Sequence, residues 1–309
     1  MGAAQAARGA GRLMLALLVP GGRGQLGHDL VASVPTDGLV HAPSSAELDV
    51  TDESAVTDAV ASFAASARDN DLKPVVVNAA AYTAVDAAET DEERAFAVNA
   101  VGAGLLASAC RDHNVPLLHV STDYVFPGDG TRPYEPEDET GPQSAYGRTK
   151  LAGEQRILRT WERSWVVRTS WMYGAGGPNF VRTIARLAGE RETLSVVDDQ
   201  HGSPTWSLDL AAGLVELAGR VVRTGPESRV LHATGSGETT WRGFAQAVFE
   251  ELGADPERVR GCGTDDFPRP APRPAYSVLS GRAWAEAGLT PLRPWREALR
   301  EAFATHAVP

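Results

Sequence analysis

Tyr146 and Lys150, within Ser144-Ala145-Tyr146-Gly147-Arg148-Thr149-Lys150, stand four residues apart. On a helix that spacing puts both side chains on one face, one turn apart. An ammonium beneath a phenol stabilises the phenolate and draws its pKa towards working pH. A phenol so tuned can pass a proton to a carbonyl oxygen while hydride arrives at the carbon. Composition singles out the pair: of 29 basic residues only Lys73 and Lys150 are lysines, the rest being Arg. Arg suits a solvated face, but not a place where a compact point charge must fit under a ring. Thr122, in Ser121-Thr122-Asp123-Tyr124, supplies a hydroxyl that could orient the carbonyl beside Tyr146.

Hydride needs a carrier, and the start of the chain offers a seat for one. Leu13–Val19 reads as a buried strand after a loose tail of about a dozen residues. Arg8 and Arg12 before that run mimic a short signal peptide, but the run leads into a Gly-rich turn and not a small-residue cleavage site. In Pro20-Gly21-Gly22-Arg23-Gly24-Gln25-Leu26-Gly27, Gly21, Gly24 and Gly27 have the spacing that lets a backbone approach a pyrophosphate at a helix N-terminus. A second strand, Gly38–Ala42, ends without Asp or Glu for a ribose 2′-hydroxyl; Pro43, Ser44 and Ser45 follow it. That favours NADPH over NADH, although no Arg stands at the strand end. Asp49, followed by Val50, either approaches the adenine or begins the turn before a helix over Asp52–Ala67.

The elements that must position these groups alternate between strand and helix. Lys73–Val77 is a strand running into Ala79, Ala80 and Ala81, small residues against which a cofactor could lie. Asp86–Glu93 reads as a solvated acidic surface. A helix over Glu93–Arg111 carries Asn99 in an apolar run, where it either braces the backbone or joins a proton relay. Val115–Val120 and Ser164–Ser170 are further strands, and the hydroxyls after the first lie where doubly wound sheets hold ligands. The expected class is α/β, a Rossmann-type doubly wound parallel sheet with a smaller mixed α/β lobe. Residues 1–168 form the first domain, with a segment near 191–218 returning to it, and 169–309 the second.

A net charge of −11 argues against nucleic acid or an anionic membrane as partner, and no run approaches transmembrane length. Two cysteines make no disulfide framework and suit a reducing cytoplasm. The seven His show no metal-ligand spacing.

With these motifs and Arg168-Thr169-Ser170-Trp171 in view, the chain resembles the extended short-chain dehydrogenase/reductases, and within them the dTDP-4-dehydrorhamnose reductases. The resemblance runs from about residue 14 to 300. Its most specific pieces are Asn78–Asp86, Ser121–Phe126, Tyr146–Glu154 and Leu194–Thr205. It implies reduction by NADPH, or NADH, of the C4 ketone of a dTDP-4-keto-6-deoxyhexose in deoxysugar biosynthesis. It implies that Gly21, Gly24, Gln25 and Leu26 meet the cofactor pyrophosphate, that Ala79, Ala80 and Ala81 line it, and that Lys150 also holds the nicotinamide ribose. Thr122, Tyr146 and Lys150 are its catalytic residues. Asp123, Tyr124 and Trp171 face the sugar, Trp171 having a core role as its alternative; Arg273 faces the nucleotide or is a solvated loop residue. Pro20 departs from the family's small polar residue and removes a backbone donor near the phosphates. Some members hold magnesium at a dimer contact, and its ligands are not placed here, so no metal site is assigned. The state is monomer or homodimer. The rivals are a sugar-nucleotide epimerase or dehydratase and a non-catalytic NADPH-binding subunit.

Overall fold

A computed structural model describes residues 14–308, so the expected N-terminal tail lies outside the described residues. The first half of the chain runs β1 (Leu15–Leu18), α1 (Gln25–Ser33), β2 (Leu39–His41), α2 (Glu53–Asp69), β3 (Lys73–Asn78), α3 (Val85–Ala88), α4 (Glu92–Phe96), α5 (Ala103–Asp112), β4 (Leu117–Thr122), α6 (Ala145–Thr160) and β5 (Ser164–Thr169). There follow β6 (Met172–Tyr173), α7 (Phe180–Glu190), β7 (Leu194–Val197), β8 (His201–Gly202), β9 (Thr205–Trp206), α8 (Ser207–Val221) and β10 (Val230–His232). The last part holds β11 (Thr239–Thr240), α9 (Trp241–Glu251), β12 (Val259–Cys262), α10 (Arg282–Glu286) and α11 (Trp295–Ala304).

Six strands form one sheet in the order β10-β5-β4-β3-β1-β2, every pairing parallel. Such a sheet is covered on both faces, so its strands carry apolar residues at successive positions. Leu15, Leu17 and Val19 face a core shared with Leu26 and Leu30 of α1 and Leu210 and Leu214 of α8. Ala16 and Leu18 face the opposite core, with Val56, Val60 and Phe63 of α2, Leu106 of α5 and Ile157 of α6. The chain leaves β1 towards β2 and returns on the other side to β3. Ligands of open α/β sheets bind at that reversal, outside the carboxyl ends of the strands.

Elements from beyond residue 168 complete this half. β10 pairs with β5 (Leu231 beside Val167) as the far edge strand, and α8 covers the sheet. β7, by contrast, pairs with β12 away from the main sheet. A second lobe packs α7, α9 and α11 around Tyr173, Trp206, Phe244 and Phe249.

Two expectations need correction. The helix expected over Glu93–Arg111 is interrupted by a π-helical turn, Ala97–Gly102. Within it the Asn99 carboxamide accepts from the Tyr82 amide (2.8 Å) and donates to the Tyr82 carbonyl (3.2 Å) and to Thr149 Oγ1 (3.0 Å). Asn99 therefore braces the backbone. The acidic stretch 86–93 is not merely solvated, because three of its carboxylates hold other segments. Asp86 takes Arg273, Glu89 takes the amide of Ala145 at the start of α6, and Glu92 takes Arg148.

Candidate active site

The turn after β1 is built so that backbone can touch backbone. Gly21 has φ +78°, and a Cβ there would lie 2.7 Å from the Ala80 nitrogen. Only glycine meets both conditions. A Cβ on Gly27 would sit 2.5 Å from the Gly22 Cα, so α1 starts hard against the turn. Gly24 precedes α1 and offers no side-chain cap, leaving first-turn amides at the positive end of the helix dipole. The Pro20 carbonyl accepts from the Ala79 amide at 3.1 Å, fastening the turn to the end of β3.

These groups line one cleft of about 780 Å³, with Gly21, Gly24, Gln25, Leu26, Ala79, Ala80 and Ala81 in its wall. Asp49 and Val50 lie there too, beside Ser44, Ser45, Arg23 and Arg94. Asp49 accepts from the Thr51 amide (2.9 Å) and hydroxyl (2.7 Å), and those bonds hold its carboxyl below the usual range. It thus begins the turn while lining the cleft. Glu47 turns back onto the Ser44 amide and hydroxyl, both at 2.8 Å. The sequence reading missed Arg23 and Arg94. Arg23 was visible inside the Gly-rich turn itself, whereas Arg94 reaches the cleft from α4.

At the other end, α6 is aimed by its first turn. Ser144 accepts from the Gly147 amide at 3.1 Å, and a Cβ on Gly147 would lie 2.2 Å from the Tyr124 carbonyl oxygen. Glycine at that position lets α6 close on the segment after β4. Thr122, Tyr146 and Lys150 all line the same cleft. Thr122 donates to Asp123 Oδ1 at 3.0 Å. Lys150 is fully buried; Nζ donates to the Val120 carbonyl at 2.6 Å and lies 3.3 Å from His119 Nε2. Burial pushes its pKa down to about 8, while Glu154 pulls the other way.

An ammonium drawing the phenol's pKa down is not what the structure displays. Burial pushes Tyr146 up to about 12, partly opposed by hydrogen bonding with Thr122, and Lys150 is engaged by β4. The phenol stays protonated at neutral pH, which is the form a proton donor requires. Burial likewise pushes Asp123 up to about 6, against the hydrogen bonds it accepts. Ser121 Oγ and Thr169 Oγ1 are buried without partners, and both residues line the cleft. Buried polar atoms left open in a cleft mark where a polyhydroxylated ligand would complete them.

Tyr124 and Trp171 also line the cleft, and Tyr124 packs edge-on to Tyr146 with ring centroids 5.6 Å apart. Trp171 has φ +46°, an unusual value for so large a residue. Arg273 is the exception. It lines a small adjoining cavity that shares Tyr124, and its Nη2 donates to Asp86 at 2.8 Å. Among the described residues no group of three or more His, Cys, Asp or Glu could hold a metal ion.

A family model described as the RmlD substrate binding domain matches residues 15–308. The chain is a member of the dTDP-4-dehydrorhamnose reductase family. A dTDP-4-dehydrorhamnose reductase of Mycobacterium tuberculosis is 50% identical over 94% of this chain and 93% of its own length. A dTDP-4-keto-6-deoxy-D-glucose reductase of Streptomyces niveus is 46% identical over 93% and 96%. Among solved structures, a dTDP-4-dehydrorhamnose reductase of Bacillus anthracis in complex with NADP superposes with a TM-score of 0.87. It is 32% identical, covering 95% of this chain and 100% of that one. Family membership matches the geometry: the Gly-rich turn and the Tyr146 helix open onto one cleft. No helix among the described residues is long and apolar enough to cross a membrane.

Proposed function

We propose that the protein is an NADPH-dependent ketoreductase acting on C4 of a dTDP-4-dehydro-6-deoxyhexose, working in the cytoplasm as a monomer or homodimer. The observation that carries the reading is the single cleft joining the Gly-rich turn to Thr122, Tyr146 and Lys150. Gly21, Gly24, Gln25 and Leu26 would hold the dinucleotide's pyrophosphate at the amides that start α1, and Ala79–Ala81 would line it. The bound dinucleotide supplies hydride to a carbonyl carbon. Tyr146, kept neutral by burial, donates its proton to the C4 oxygen. Thr122 would orient that oxygen, and Lys150 would hold the nicotinamide ribose. Asp123, Tyr124 and Trp171 border the sugar. The cofactor-binding unit comprises residues 14–169 with α8 and β10, and the sugar-binding unit the remainder.

The test is NADPH oxidation with dTDP-4-keto-6-deoxyhexoses, the C4 configuration of the product being assigned by NMR. Turnover gives a 4-hydroxy sugar with stoichiometric NADP. An epimerase or dehydratase would convert its substrate without net NADPH consumption, and a non-catalytic subunit would bind NADPH and consume none. Either result overturns the proposal.

A further inference from the structure

Behind the Tyr146 helix, buried polar groups form a chain of hydrogen bonds that all run one way. The Ala80 amide donates to Asn78 Oδ1 at 3.0 Å, and Asn78 Nδ2 faces His119 Nδ1 at 3.0 Å. The Ala80 amide fixes that orientation, since flipping the carboxamide would set an NH2 group against an N–H. Nδ1 must then accept, and a neutral imidazole carries its proton on Nε2. His119 is neutral, because it is fully buried and burial holds its pKa well below the ordinary value. Its Nε2–H meets Lys150 Nζ at 3.3 Å. An ammonium has three donors and no acceptor, so donor would face donor. A free amine accepts from Nε2–H and donates onward to the Val120 carbonyl at 2.6 Å.

We propose that His119 is a positioning residue for the reaction: with Asn78 it holds Nζ of Lys150 on β4 by offering it a hydrogen to accept, which favours the free amine there, and the ammonium is favoured when Nζ turns away from His119. The proposal rests on the role given above to Lys150. The other ionisable groups near the amine do not replace His119. Glu154, one turn further along α6, favours the ammonium but is already taken by Arg168 of β5 at 2.8 Å. Tyr146 is neutral on the same helix. Desolvation alone would favour the amine without fixing its direction; the Asn78–His119 pair gives it one hydrogen to accept.

The two-lysine composition makes the test direct. Protein labelled in its lysine side chains gives two signals, with exposed Lys73 as internal reference. Lys150 should titrate at least about one pH unit below Lys73, a tenfold difference in ionisation. His119 should show the Nε2–H tautomer by ring ¹⁵N shifts. Asn78→Asp presents acceptors only, which moves the imidazole proton to Nδ1 and leaves Nε2 as an acceptor for the ammonium. Lys150 should then titrate at least about one unit higher, and the corresponding limb of the kcat/KM profile should move with it. A carboxylate also acts through space, so Asn78→Asp is repeated in His119→Phe. If the imidazole transmits the effect, the upward shift is lost there. An undiminished shift in the double variant overturns the proposal, as does an Nδ1–H tautomer or a Lys150 that titrates with Lys73 in the parent protein. These signals need no turnover, so failure of the assigned reaction would leave them readable.

Discussion

The indole of Trp171 lies flat on that of Trp241, ring centroids 3.6 Å apart and planes 8° from parallel. Trp171 also lines the cleft, whereas Trp241 does not. Trp171, for which the sequence posed sugar contact and core packing as alternatives, thus packs on Trp241 with one face while also bordering the cleft. An aromatic pair adds about 0.5–1.5 kcal/mol beyond its buried area. Trp171→Ala and Trp241→Ala should both lower the melting temperature. Only Trp171→Ala should raise KM for the keto-sugar severalfold. Equal kinetic effects from the two would remove Trp171 from the sugar site.

Tyr146→Phe keeps the ring and its edge-on contact with Tyr124 but has no proton to give. The variant should fold, bind NADPH and lose roughly 10²–10⁴-fold in kcat, the usual worth of a positioned general acid. Steady-state NADPH oxidation, paired with a cofactor titration, checks this. Turnover within about threefold of the parent would rule Tyr146 out as the acid.

Asp123 gives a pH dependence with a definite sign. Its carboxyl, raised to about 6 by burial, ionises as pH climbs through that value. If the carboxylate accepts a sugar hydroxyl, kcat/KM should rise across the same range, and Asp123→Asn should flatten that limb. The stability consequence runs oppositely. An acid whose folded pKa is raised costs nothing below its unfolded pKa, and the cost appears as pH rises through the folded one. Asp123→Asn should accordingly stabilise the protein more at pH 8 than at pH 4. A constant difference in melting temperature between those values would contradict the burial argument.

Arg23 and Ser44 both line the cleft, one in the turn after β1 and the other after β2, the segments expected to receive the adenosine ribose. A charge-assisted bond to a phosphate contributes about 1.5–3 kcal/mol, or roughly ten- to a hundredfold in affinity. Arg23→Ala should weaken NADPH by at least about tenfold and leave NADH nearly unchanged. Isothermal titration with both cofactors is decisive, and equal losses would move Arg23 away from the 2′-phosphate.

Arg273 is held by Asp86, and the pair is only partly exposed. A carboxylate there both occupies the guanidinium and repels a diphosphate. Asp86→Asn should tighten dTDP binding by about fivefold, near 1 kcal/mol, with little change in melting temperature. Unchanged or weaker dTDP binding would detach Arg273 from the nucleotide.

Much of this site was legible because short-range rules dictate it. The turn needs glycine where φ is positive at Gly21, and Tyr146 and Lys150 need only helical spacing to share a face. The parallel sheet announced itself through apolar runs such as Val75–Val77. What stayed hidden depends on partners far along the chain. His119 looked like an ordinary strand residue until Asn78 and Lys150 closed on it from either side. The π turn at Asn99 exists because Tyr82 and Thr149 claim that carboxamide, a demand invisible to helix periodicity. The acids at 86, 89 and 92 read as solvent-facing because their amide and guanidinium partners come 50 or more residues later.

The far edge of the main sheet has a consequence for engineering. β10 reaches β5 only after the chain has visited the second lobe, so removing everything past residue 169 would strip that strand away. The exposed edge of β5, with unpaired amides and carbonyls, would offer a template for strands of other molecules. The second lobe is thus no detachable cassette. Exchanging substrate preference between relatives calls for two grafts, one on each side of a retained α8–β10 unit, made together.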